Sequence, residues 1–267
     1  MNDYTITIIG IVVLALSTPL GAAMIFFFKN RIPPKLDTIF LGFAAGVMIA
    51  ASIWSLLNPA IEQSSAWGQW SFVPAAGGFI LGGLFLLLMD RVIPHFHSAT
   101  NEEEGISTKN LKRSWKLFLA MTIHNIPEGL SVGFAFGVAL AMKDNPNPSV
   151  TVLGALALSI GISIQNFPEG ASVSLPMADV VKSRKKAFLM GALSGIVEPI
   201  FAIIGVLLAS SITALMPWLL SFAAGAMMFV VAEELIPGAH IEKYEHLGTF
   251  GVMAGFVIMM ILDVALG

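Results

Sequence analysis

Residues 114–141 read SWKLFLAMTIHNIPEGLSVGFAFGVALA. The stretch is long enough to cross a bilayer, which takes about 20 apolar residues. Yet it carries His124, Asn125 and Glu128 near its middle. Residues 150–177, VTVLGALALSIGISIQNFPEGASVSLPM, repeat the arrangement with Gln165, Asn166 and Glu169. A charged side chain at the bilayer centre costs at least ~2.5–3.5 kcal/mol on insertion scales. Two glutamates in matched settings therefore point to a function that outweighs that cost.

The rest of the chain has the same membrane character. Its 267 residues are 56% hydrophobic and 12% charged, against roughly 25% charged in a soluble domain. The mean hydropathy is +0.84. A net charge of −3 gives no electrostatic case for nucleic acid. The absence of cysteine excludes disulfides and thiolate metal sites. The first apolar run follows Met1-Asn2-Asp3-Tyr4, with no basic leader and no cleavage pattern, so it is expected to stay as the first helix.

Working outward from residues 114–141, eight spans are expected, at about 5–28, 37–58, 71–93, 114–141, 150–177, 185–210, 213–236 and 247–266. They form one all-α integral membrane domain over residues 1–267, whose one sizeable connector covers about 94–113. Basic residues set the orientation. Lys29, Arg31, Lys35, Arg91, Lys109, Lys112, Arg113, Lys116, Lys182, Arg184, Lys185, Lys186 and Lys243 fall at odd-numbered connectors, and only Lys143 at an even one. The odd connectors are thus cytoplasmic, and both termini lie outside.

Helical spacing explains the residue types in the two motifs. With His124 at 0°, Asn125 lies at about 100° and Glu128 at about 40°. The carboxylate falls between imidazole and amide, and Gln165, Asn166 and Glu169 repeat the geometry. The two spans run antiparallel, so the triplets can face each other at one depth. Pro127 and Pro168 have no N–H and clash with the carbonyls of Ile123 and Ile164, so each helix should kink at its motif. Span six adds Glu198, ahead of Pro199. Three ionised glutamates sum to −3, which one divalent ion leaves at −1 and two at +1. Charge alone leaves one or two ions open. Imidazole, carboxylate and amide donors suit zinc, iron or manganese better than calcium or copper(I).

The paired motifs His-Asn-x-Pro-Glu-Gly and Gln-Asn-x-Pro-Glu-Gly make the chain resemble the ZIP (Zrt/Irt-like) metal transporters, particularly the prokaryotic branch. The resemblance covers the whole chain. It implies eight helices in a 3+2+3 arrangement, the outer threes related as inverted repeats, with helices four and five carrying the metal site. It implies uptake of zinc, with iron, manganese, cobalt or cadmium as further substrates, across the prokaryotic inner (plasma) membrane, often by a homodimer. The ion is the substrate, and no cofactor is expected. His124, Asn125, Glu128, Gln165, Asn166, Glu169 and Glu198 match the transport-site positions, and Met48 resembles the thioether lining that site from helix two. Ser55 and Glu62, at seven-residue steps from Met48, resemble the outer route to the site. Glu233 and Glu234 match positions linked to release, and His95 and His97 sit where the family often has a His-rich cytoplasmic loop. Asn166 stands where some relatives have Asp, which lowers the charge of the second half-site.

Blander readings apply elsewhere. Met48 alone would be packing, among 14 methionines. Glu62, His95, His97, His240, His246 and the Glu102-Glu103-Glu104 run could be simply solvated. Asp90 and Asp263, at span ends, are expected to be structural. Two other functions compete with a carrier. A channel could use the same site. An intramembrane zinc enzyme lacks support, because the chain has no His-Glu-x-x-His motif and a single mid-membrane His.

Overall fold

The computed structural model describes residues 2–27, 32–93, 95–96, 103–104, 113–145, 148–240 and 244–266. Helix α1 (Asp3–Ala22) is capped by Asn2, whose side chain accepts from the Thr5 N–H at 2.8 Å. A 3₁₀ turn, Ala23–Phe26, extends it. Helix α2 (Pro34–Ala51) passes through a π-helical turn, Ser52–Leu57, into α3 (Asn58–Gln63). Helix α4 (Phe72–Val92) leads to two-residue antiparallel strands, β1 (His95–Phe96) and β2 (Glu103–Glu104), with β1 against the next helix. That small hairpin lies in the connector expected at 94–113.

Helices α5 (Arg113–Ala141) and α6 (Val152–Val181) follow, the second capped by Thr151 and ended at Lys182 in the left-handed conformation. The sixth expected span is two helices, α7 (Arg184–Ser194) and α8 (Val197–Ser211). The seventh is α9 (Met216–Val230), a π-helical turn Val231–Leu235 and α10 (Ile236–Ala239), and the last is α11 (Glu245–Leu266).

Six stretches among the described residues are long and apolar enough to cross a membrane: Asp3–Phe26, Pro34–Gln63, Phe72–Val92, Arg184–Ala209, Met216–Ala239 and His246–Leu266. Helices α5 and α6 are longer, at 29 and 30 residues, but their central polar residues keep them out of that set. Both stay helical through Pro127 and Pro168. A break falls in the sixth span, at Gly195-Ile196, and the two π turns fall just before Pro59 and Pro237. A proline cannot donate to the carbonyl four residues back, here Ser55 and Glu233. A wider turn relieves that clash, and such turns recur at functional sites.

The helices pack in pairs: α1 with α6, α5 with α8, α2 with α11 and α4 with α9. The last two pairs use matched contacts. Ala44-Ala45-Gly46-Val47-Met48 on α2 has a counterpart in Ala223-Ala224-Gly225-Ala226-Met227 on α9. A Cβ at Gly46 would strike the Val252 carbonyl, and one at Gly225 the Phe79 carbonyl. Glycine at these points lets the backbones approach closely. Helices α1, α4 and α11 turn apolar side chains such as Ile8, Leu84 and Val257 outward. Most of α5 is buried, including Phe134 and Phe136. Helix α6 exposes Ile164 and Phe167 but, like α5, keeps the polar groups of its motif buried, where protein surrounds them.

Candidate metal site

Helix α5 supplies His124, Asn125 and Glu128, and α6 supplies Gln165, Asn166 and Glu169, all buried. The two triplets meet, as their spacing allows: the Gln165 side-chain amide donates to Glu128 Oε1 at 3.0 Å. Glu198, fully buried in the first turn of α8, completes the acidic set. The Asn166 amide donates to its Oε2 at 2.5 Å, and Thr18 Oγ1 donates to its Oε1 at 2.8 Å.

The break in span six is held from α5. The Asn125 amide donates to the carbonyl of Ser194 at 3.0 Å, the last residue of α7. Close approach fixes the neighbouring helices. A Cβ at Gly129 would collide with the carbonyl of Glu198, and one at Gly170 with the carbonyl of Thr18. Each Pro-Glu-Gly helix is thus crossed by a helix bearing an x-Pro pair, Glu198-Pro199 over α5 and Thr18-Pro19 over α6.

With the amide nitrogens of Gln165 and Asn166 turned to carboxylates, their oxygens point elsewhere. Gln165 Oε1, Asn166 Oδ1 and Glu128 Oε2 are buried and have no hydrogen-bond partner among the described residues. Leaving such a group unsatisfied costs ~1–3 kcal/mol, and more where it is charged. All three are acceptors, so a cation suits them. Among the described residues no three His, Cys, Asp or Glu side chains form a metal cluster by themselves. The amide oxygens of Gln165 and Asn166 are further acceptors at the same centre.

His124 Nε2 lies 2.9 Å from Glu234 Oε1, in the π turn after α9. Glu233, its neighbour, is exposed. Met48 is buried on α2. Ser55 is buried, whereas Glu62 is exposed on α3. The π turn Ser52–Leu57 contains Ser55 and precedes the helix that carries Glu62. Ser55 donates to Asp263 Oδ1 at 2.5 Å, and both line a cavity of about 150 Å³ with Trp54, Ala135 and Thr151. His95 is in β1, and His97 lies outside the described residues.

Sequence reading missed Thr18, the contact from Asn125 to the span-six break, and the Ser55 partner Asp263. Thr18-Pro19 had a signal, since it echoes Glu198-Pro199 180 positions on. Asp263 had none, because a carboxylate at a span end is ordinary.

Fold and polar centre define a class: a multi-pass membrane protein with a buried, acceptor-rich centre between α5 and α6. A family profile described as ZIP Zinc transporter matches residues 100–263. "Zinc transporter ZIP11" of Xenopus tropicalis is 36% identical, covering 94% of each chain. "Zinc transporter GufA" of Myxococcus xanthus is 35% identical over 94% of this chain and 95% of its own. "Zinc transporter ZIPB" of Bordetella bronchiseptica is 35% identical over 94% of this chain and 78% of its own. The chain belongs to the ZIP family.

Proposed function

We propose that this protein carries Zn²⁺, and related divalent transition metals, inward across the cytoplasmic membrane by alternating access to the centre between α5 and α6. The observation that carries the reading is the set of buried acceptors without partners, Glu128 Oε2, Gln165 Oε1 and Asn166 Oδ1, beside the carboxylates of Glu169 and Glu198. Imidazole, amide and carboxylate donors together match zinc-like ions. The zinc-transporter names of full-length relatives support the same substrate.

In this reading α5 and α6 are the fourth and fifth of eight spans, and the whole chain is one transport unit. The matched α2–α11 and α9–α4 contacts support an inverted 3+2+3 repeat. The basic residues of the odd connectors support termini outside. An ion arrives past Ser55 and Asp263, with Glu62 at the outer mouth, and exchanges its hydration for the buried donors. Met48 borders that centre from α2. Inward release runs past Glu234, which already meets His124, with Glu233, His95 and His97 on the cytoplasmic side.

The test is zinc flux into proteoliposomes containing an indicator dye. The carrier reading expects saturable uptake, with iron, manganese, cobalt and cadmium competing to different degrees. Flux that rises linearly with zinc, together with single-channel currents, would replace the carrier with a channel.

A further inference from the structure

Buried hydroxyls in these helices mostly turn back on their own backbone. Ser17 donates to the Leu14 carbonyl at 2.6 Å, Ser131 to Glu128 at 2.7 Å and Ser163 to Ser159 at 2.7 Å. That is the ordinary behaviour of Ser and Thr inside a helix. Thr18, beside Ser17 and 2% exposed, does otherwise. Its hydroxyl crosses to another span and donates to Glu198 Oε1.

The consequence falls on Glu198. One oxygen takes the Thr18 O–H and the other takes the Asn166 N–H. A carboxylate has about four lone-pair sites, so each oxygen keeps one after these bonds form. The two donors stand on different helices, α1 and α6, and pin the carboxylate at both ends. The backbone holds Thr18 in place for this, since its carbonyl lies against Gly170, directly after Glu169. Gly195, in the span-six break, also abuts it: a Cβ there would reach the Thr18 side chain.

We propose that Thr18 is a positioning residue for the metal centre: its hydroxyl fixes the Glu198 carboxylate so that the remaining lone pairs serve the ion. The proposal rests on the zinc-transport reading above. Without the hydroxyl, Glu198 keeps, among the described residues, a single side-chain donor, from Asn166, and its terminal torsion, broad and two-fold for carboxylates, is free to turn. Losing a partner that orients a metal ligand typically lowers affinity or activity 10–100-fold.

The test compares Thr18→Val, which keeps the shape and loses the hydroxyl, with Thr18→Ser, which keeps the hydroxyl. Thr18→Ala serves if the valine variant does not insert. Zinc uptake in proteoliposomes, normalised to inserted protein, is read as KM and Vmax, and zinc binding to the purified protein is read by calorimetry. The hydroxyl-free variant should raise KM and Kd roughly tenfold or more, with Vmax within about twofold, while the serine variant stays near wild type. A hydroxyl-free variant with wild-type KM and Kd overturns the proposal. So does equal loss in the valine and serine variants, which would make Thr18 a packing residue. Absence of saturable uptake by the wild type would instead bring down the transport reading, and this inference with it.

Discussion

Glu234 Oε1 lies 2.9 Å from His124 Nε2, so a carboxylate of the seventh span holds the imidazole of the motif in α5. Carboxylate partners of this kind fix which way a ligating imidazole faces and raise its basicity. The contact exists because the π turn Val231–Leu235 carries Glu234 toward the bundle while Glu233 stays exposed. Glu234→Gln keeps the size and removes the charge. It should cut zinc uptake roughly tenfold, within the range for lost partners of metal ligands. Glu233→Gln should leave uptake near wild type. Parallel transport assays check both, and equal loss in the two variants would remove the special role given to Glu234.

Helix approach at the centre should be intolerant of bulk. A Cβ at Gly170 meets the backbone of Thr18, whereas one at Gly83 has only an ordinary 3.9 Å contact with the Gly225 carbonyl. Gly170→Ala should destabilise by ~1–3 kcal/mol, as overpacking of close-packed interiors does, and Gly83→Ala by far less. Thermal unfolding of the two variants in detergent compares them directly.

Asp263 sits at a span end, where a purely structural role is the ordinary expectation. It meets Ser55 beside a cavity, and the proposed transport path runs past that pair. Asp263→Asn keeps an acceptor for Ser55 and loses the charge that attracts a cation. Uptake should show a raised KM with little change in zinc binding to the purified protein. Weakened equilibrium binding would place Asp263 at the centre itself.

The natural chain has no cysteine, so single substitutions report topology cleanly. Asn2→Cys should react with a membrane-impermeant maleimide on intact cells, and Lys185→Cys only after permeabilisation. The opposite pattern would invert the assigned orientation.

The sequence carried the identity of the two polar helices because a glutamate in an apolar run is costly and therefore conspicuous. That the two triplets can face each other was also legible from spacing, since antiparallel helices with the same motif present it at one depth; the Gln165–Glu128 pair itself was not. The fine path of the chain was not. Pro127 and Pro168 are expected to kink their helices, and both helices continue through them, because surrounding helices can compensate a lost backbone bond. The discontinuity sits at Gly195-Ile196, where Asn125 satisfies the Ser194 carbonyl, a partnership between residues 69 apart that no local pattern records. The π turn that contains Ser55 was likewise not legible, since a seven-residue count assumes constant helical phase. Glu234 reaches His124 through the second such turn.

The most direct test of the metal centre is zinc uptake by proteoliposomes containing the wild-type protein, His124→Ala or Glu169→Ala at equal inserted amounts. Wild type should show saturable uptake, and both variants should show none above protein-free vesicles while remaining folded in the membrane. Full uptake by either variant would contradict the assignment of the metal centre to α5 and α6.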